Sequence, residues 1–264
     1  MTPFLAYEDK GADSPRLPLV LIHGHPFDRT MWAPQVAAFA AERRVVAPDL
    51  RGYGASPVTP GRTPLSRFAE DVEDLLDTLG VDRFVLAGLS MGGQIALECY
   101  ARFGHRVRGL VLADTSAAPE TSAGKAARAA MADRLLAEGL RGYADEVLEK
   151  MVAPYADPEV KAHVHRMMTA TSPEGAAAAL RGRAERPDYR PLLAEVTVPA
   201  LVVVGEDDTY TPVAEARSLH AALPDATLAV IPRTAHLPNL ESPAAFDEAL
   251  AAFLTRVEAA DRDR

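Results

Sequence analysis

One hydroxyl stands among three glycines in Gly88-Leu89-Ser90-Met91-Gly92-Gly93. A serine is a weak nucleophile until a neighbouring base takes its proton, so the chemistry depends on a histidine and on a group that orients it. The chain offers seven histidines. His236, in "RTAHLPNLESP", follows the last apolar run and precedes the helical pattern "AAFDEALAAFLTRV". That loop position suits a base. His220 falls in a helical stretch ending at Pro224 and reads as solvent-facing. His163 and His165, two residues apart on a helix, face different ways and make a poor metal pair. His105 follows the helix stop Gly104, near a helix C-terminus where positive charge is favoured. For the orienting acid, "VVVGEDD" ends a strand with Glu206, Asp207 and Asp208, and Asp114 ends another in "GLVLADTS". Either strand end could supply it.

These residues must be held by regular elements. Short apolar runs recur at Leu19–Ile22, Val45–Ala47, Phe84–Ala87, Leu110–Ala113, Leu201–Val204 and Leu228–Ile231. They lack polar alternation, as strands buried on both faces of a parallel sheet do. Helical patterns separate them. The clearest opens at Thr63-Pro64 as N-cap and first-turn proline, keeps Phe68, Val72, Leu75, Leu76 and Leu79 on one face, and stops at Gly80. Strand and helix in alternation predict an α/β fold with a doubly wound, mostly parallel sheet. From Thr115 to Val196 the strand runs vanish, and helices are expected near Lys125–Glu138, Ala144–Met151, Pro158–Thr169 and Glu174–Arg186. The expected organisation is a core of residues 1–114 and 197–264 with a helical cap at 115–196, over the carboxyl edge where such sheets bind ligands.

In that frame G-x-S-x-G at 88–92 lies between a strand and a helix, the context of a nucleophile elbow. Side chains at its glycines would collide with the adjoining elements. The backbone N–H of Met91, at the helix start, faces a developing oxyanion.

Composition narrows the field. The 264 residues are 48% hydrophobic and 25% charged, with a formal net charge of -9. Nucleic acid is a poor partner for so acidic a chain. Cys99 is the single cysteine, so no internal disulfide or thiolate cluster is expected. No apolar run has membrane-spanning length. "MTPFLAYEDK" carries Glu8 and Asp9 where a secretory signal would need an apolar stretch, so a cytoplasmic location is expected. Neither G-x-G-x-x-G nor a P-loop occurs. No metal and no organic cofactor are expected.

Two further stretches carry a likeness. "LIHGHPFDRTMW" follows the first long strand, and "PDLRGYGAS" spans Pro48 to Ser56. With the elbow and "AHLPNLESPAAF", they make the chain resemble the α/β-hydrolases with a helical cap over nearly its whole length. The resemblance implies an H-G-x-P oxyanion loop in which His25 supplies a backbone N–H beside that of Met91. It implies that Asp208, in G-x-x-D from Gly205, is the acid, and that Gly52, Gly54 and Ser56 form a structural turn. Ser90 sets the chain apart from branches whose elbow nucleophile is aspartate.

The expected function is hydrolysis of carboxylic esters or lactones through an acyl-enzyme, with Ser90, Asp208 and His236 as triad and a small-molecule substrate. "GLSMGG", "VPALVVVGEDD" and "HLPNLE" resemble 3-oxoadipate enol-lactonases most, although "HGHPF" is the general hydrolase form of the loop. Carbon–carbon bond hydrolases and perhydrolases are the neighbouring alternatives. A non-catalytic ligand-binding protein is the alternative of another class. Phe27 and Trp32 are candidate pocket-lining residues. The Met, Leu and Ala of the insertion suggest an uncharged or partly apolar group; its arginines could bind a carboxylate, although such residues are more often solvated helix faces.

Overall fold

The computed structural model describes residues 4–11 and 14–262; Met1–Pro3 of the N-terminal stretch lie outside them. In chain order the elements are β1 (Tyr7–Lys10), β2 (Leu19–Ile22), α1 (Ala33–Phe39), β3 (Val45–Pro48), α2 (Leu65–Thr78), β4 (Phe84–Leu89), α3 (Met91–Phe103) and β5 (Val107–Ala113). Five helices follow without a strand: α4 (Ser122–Glu138), α5 (Arg141–Met151), α6 (Pro158–Ala170), α7 (Pro173–Ala184) and α8 (Arg190–Leu193). The chain closes with β6 (Ala200–Gly205), α9 (Val213–Ala222), β7 (Ala226–Ile231), α10 (Pro238–Glu241) and α11 (Pro243–Arg262).

The seven strands form one sheet in the order β1-β3-β2-β4-β5-β6-β7. Only β1 is antiparallel to its neighbour. Side chains of successive strand residues go to opposite faces. Val20, Ile22, Leu86, Leu112 and Val202 join one core with Phe68 and Val72 of α2 and Ile95 of α3. Leu19, Leu21, Val85, Val111 and Val203 join a second core with Val36 of α1 and Leu250 and Leu254 of α11. Two apolar faces, each covered by helices, are what a doubly wound sheet requires.

Three expectations change in detail. β1 has the sequence YEDK and pairs only with β3, so it carries no apolar run to announce it. β7 is the edge strand, and Thr227 and Val230 on it are exposed rather than buried on both faces. α2 begins at Leu65 with Pro64 as its cap, one residue later than the Thr63-Pro64 signal implied.

Register decides what meets at the carboxyl edge. Leu89 pairs with Ala113, Ala113 with Val203, and Gly205 with Ile231. Because β4 to β7 run parallel, the residues that follow each strand emerge side by side. These are Ser90, Asp114, the 206–208 acids and the loop to His236.

Candidate active site

The elbow is built by close backbone approach. A Cβ on Gly88 would stand 2.1 Å from the Gly92 carbonyl oxygen, and one on Gly92 would stand 2.1 Å from that of Ile22. With no Cβ at either position, α3 starts directly on the end of β4. Ser90 has φ of 58°, a left-handed conformation that costs about 1–3 kcal/mol for a non-glycine residue. It is held by its N–H donating to Ala113 O (2.9 Å) and by the Thr115 hydroxyl donating to Ser90 O (2.6 Å).

His236 and Asp208 form a buried pair. His236 Nδ1–H donates to Asp208 Oδ2 at 2.8 Å, which leaves Nε2 for a substrate-side role. Asp208 Oδ1 accepts the N–H groups of Tyr210 (2.7 Å) and Thr211 (3.2 Å), and the Thr211 hydroxyl donates to Oδ2. Burial pushes the Asp208 carboxyl up. The His236 hydrogen bond and charge, with those backbone and hydroxyl donors, outweigh it and hold the group below its ordinary value. Glu206 and Asp207 are occupied elsewhere. Glu206 accepts the Arg233 N–H (3.1 Å), and Asp207 accepts the Tyr155 hydroxyl.

Asp114 is the other acid at this edge. One of its carboxylate oxygens lies within 4.8 Å of a carboxylate oxygen of Asp208 and of a ring nitrogen of His236. Oδ1 accepts the Gly205 N–H at 2.9 Å, while Oδ2 is buried with no partner. Burial first, and then the Asp208 charge, push this carboxyl well above its ordinary value. The trio has the donor types of a metal site. Both Asp208 oxygens already accept hydrogen bonds, however, and a neutral Asp114 is a poor cation ligand.

The histidine-glycine loop packs on the elbow: a Cβ on Gly24 would lie 3.3 Å from Ser90 Cβ. His23 Nε2 accepts the Leu50 N–H (2.9 Å), so Nδ1–H donates to Gly24 O (2.8 Å), a neutral strut kept so by burial. His25 is hydrogen-bonded through Nδ1 to the Tyr53 hydroxyl at 2.7 Å. Burial, and next the Arg183 cation, hold the His25 ring far below its usual value, so it is neutral. Among the described residues nothing accepts the His25 backbone N–H. Met91 opens α3, so its N–H has no intrahelical acceptor. The 48–56 segment is a structural turn: Asp49 accepts the N–H groups of Arg29 and Ala55, each at 2.8 Å.

Ser90, His25 and His236 border one cavity of about 370 Å³. Among the described residues no hydrogen bond joins the Ser90 hydroxyl to His236. Two sequence expectations are corrected here. Phe27 and Trp32 are fully buried in the second core and take no part in the cavity wall. The 115–196 segment contributes Met151 and Leu180 to the wall, but also Glu120, Arg128, Arg183 and Arg186, so the cavity is strongly polar. Outside it, His163 Nε2 bonds to Thr30 O, His165 bonds to Asp145, and His220 is half-buried on α9.

The sequence profile of the Alpha/beta hydrolase family matches residues 19–249. The chain belongs to that family and is a hydrolase of this fold. It is 30% identical over 230 residues to 3-oxoadipate enol-lactonase 2 of Acinetobacter baylyi, covering 86% of this chain and 84% of that one. Among solved structures it is similar to a thermophilic esterase from Thermogutta terrifontis in its malate-bound form, with a TM-score of 0.93 and 38% identity over 96% of this chain and 93% of that one. The enol-lactonase from Burkholderia xenovorans LB400 aligns with a TM-score of 0.88 and 31% identity, over 95% and 96% of the two chains. No described helix is long and apolar enough to cross a membrane.

Proposed function

We propose that the protein hydrolyses carboxylic esters or lactones through an acyl-enzyme on Ser90. The observation that carries this reading is the buried Asp208–His236 pair opening on the cavity that Ser90 borders. Ser90 Oγ attacks the carbonyl carbon as His236 Nε2 takes its proton. His236 then gives that proton to the leaving alcohol oxygen as the ester bond breaks. Asp208 keeps the imidazole in the required tautomer and stabilises the imidazolium. The backbone N–H groups of His25 and Met91 hold the oxyanion, which is usually the largest single contribution to such catalysis. Water, activated by His236, releases the acid and restores Ser90. Residues 115–196 act as the cap that limits what enters. The similarity to esterases and enol-lactonases supports both substrate classes.

Turnover of 4-nitrophenyl butyrate tests the reading. Ser90→Ala is expected to lose about 10⁴-fold or more in kcat, as nucleophile removals do. A tenfold loss or less would overturn Ser90 as the nucleophile. Labelling of wild type, but not Ser90→Ala, by a fluorophosphonate separates catalysis from mere ligand binding.

A further inference from the structure

Three arginines border the cavity, and they are not equivalent. Arg128 and Arg186 share Glu120: Arg186 Nη1 donates to Glu120 Oε2 at 2.8 Å, and Arg128 Nε contacts the same oxygen. Burial resists ionisation of Glu120, yet the two guanidiniums hold its carboxyl at about 2. Arg183 has no such partner. Among the described residues it forms no ion pair, and its one side-chain hydrogen bond runs from Nε to Gln94 Oε1 at 3.1 Å. That uses one of its five N–H donors. The side chain is nonetheless buried, with 8% of the residue exposed.

Its position is enforced by the backbone. A Cβ on Gly175 would stand 2.0 Å from Gly52 O, and one on Gly182 would stand 1.6 Å from Thr63 O. The Thr63 N–H also donates to Ala178 O (2.9 Å). α7 is thus pinned to the core at both ends, and the residue after Gly182 is carried into the cavity wall. Leaving a buried cation without a counter-charge costs several kcal/mol. Desolvation, and then Arg128 and Arg186, push Arg183 down to about 9. Of the other charged groups in the wall, Glu215 accepts from the Ser116 hydroxyl (2.7 Å), and Asp114 is held neutral by burial. Among the described residues Arg183 is therefore the arginine of the wall with no carboxylate against it, and its planar fork fits a carboxylate in bidentate fashion.

We propose that Arg183 is a carboxylate-binding subsite and that the substrates are esters or lactones carrying a free carboxylate near the carbonyl Ser90 attacks. Gln94, the anchor of Arg183, lies one turn of α3 beyond Ser90, and a turn rises about 5.4 Å. A half-ester of a short dicarboxylic acid carries a carbonyl and a carboxylate on one chain, as two groups bordering one cavity require. Glu120 and Glu215 in the same wall favour a monoanion over a phosphate-like dianion. The proposal rests on the hydrolase reading for its reaction, but not for its binding.

The experiment compares mono-4-nitrophenyl glutarate with neutral 4-nitrophenyl butyrate. Wild type should favour the anionic ester in kcat/KM by tenfold or more. Arg183→Gln should reduce that preference by about tenfold or more, mainly through KM, because charge-assisted hydrogen bonds are lost. Arg183→Lys should restore part of it. Arg181→Gln, at a half-buried neighbour on α7 that is paired with Asp133 and lies outside the cavity wall, should leave the preference unchanged. Equal handling of the two esters by wild type, or a preference unmoved in Arg183→Gln, overturns the subsite. Calorimetry of glutarate with Ser90→Ala protein needs neither turnover nor an Arg183 variant. Binding there should have a Kd below about 1 mM, and absence of binding at 10 mM glutarate overturns the subsite. Binding without Ser90-dependent turnover in wild type would keep the subsite and sink the hydrolase reading.

Discussion

Asp208 and Asp114 follow adjacent parallel strands, are both buried, and approach the same imidazole, yet their carboxyls shift in opposite directions. Asp114 lies the deeper of the two, but the donors aimed at them also differ. Asp208 accepts from His236, the Thr211 hydroxyl and two backbone N–H groups. Asp114 accepts from one N–H and leaves an oxygen orphaned. For Asp208 the donors aimed at the carboxylate outweigh burial, and for Asp114 burial outweighs its single donor. Once Asp208 is charged, its own field helps to keep Asp114 neutral. The cavity repeats the lesson with opposite sign: Arg128 and Arg186 have Glu120, while Arg183 waits for a counter-charge.

The strongest blow to this comparison is Asp208→Asn. An asparagine there keeps the volume but reverses the hydrogen bond to His236 Nδ1, and kcat should fall by about 10²–10⁴-fold. A loss smaller than that caused by Asp114→Asn would make Asp114 the working acid. A subtler test combines the two. In Asp208→Asn the charge that raises Asp114 is gone, so Asp114 should ionise more readily and orient His236 in part. Adding Asp114→Asn to Asp208→Asn should then cost a further ~10-fold in kcat. A double variant no slower than Asp208→Asn would show that Asp114 cannot serve the ring.

Residue type and order made Ser90, His236 and the strand-end acids legible as candidates, because strand, elbow and loop each leave a local signature. β2 to β7 were readable for the same reason. β1 was not, since Glu8, Asp9 and Lys10 earn their strand from pairing with β3 alone. Choosing among Glu206, Asp207 and Asp208 needed the family pattern, for turn geometry rather than composition sends one inward. The arginines of the insertion were legible as carboxylate binders or as solvated helix faces, but nothing in their type singled out Arg183. In "GAAAALRGRAERP" three arginines look alike until the fold sends Arg183 and Arg186 to the cavity wall and leaves Arg181 paired with Asp133. A signal was present: Gly175, Ala178, Ala179 and Gly182 recur at helical spacing and mark a face made for close approach. Phe27 and Trp32 erred the other way, as large apolar side chains beside a motif that went to the core.

The smallest expected effect isolates the protonation of Asp114 from catalysis. A carboxyl raised by folding binds more protons in the native than in the unfolded state. Its contribution to stability is therefore complete below the ordinary carboxylate range and is lost as pH rises towards its folded value. Asp208 behaves inversely, stabilising above that range and ceasing to do so as pH falls through its depressed value. Asp114→Asn mimics the neutral acid without the proton, so the decline in Tm between pH 5 and pH 8 should flatten. At pH 8 the variant should melt higher by about 2–4 °C, the shift that ~1 kcal/mol produces in a chain of this size. Asp208→Asn should instead lower the Tm at pH 8 and lose that deficit towards pH 3. If Asp114→Asn melted lower than wild type at pH 8 by the same margin, Asp114 would be a charged partner of His236, and the two aspartates would share one role.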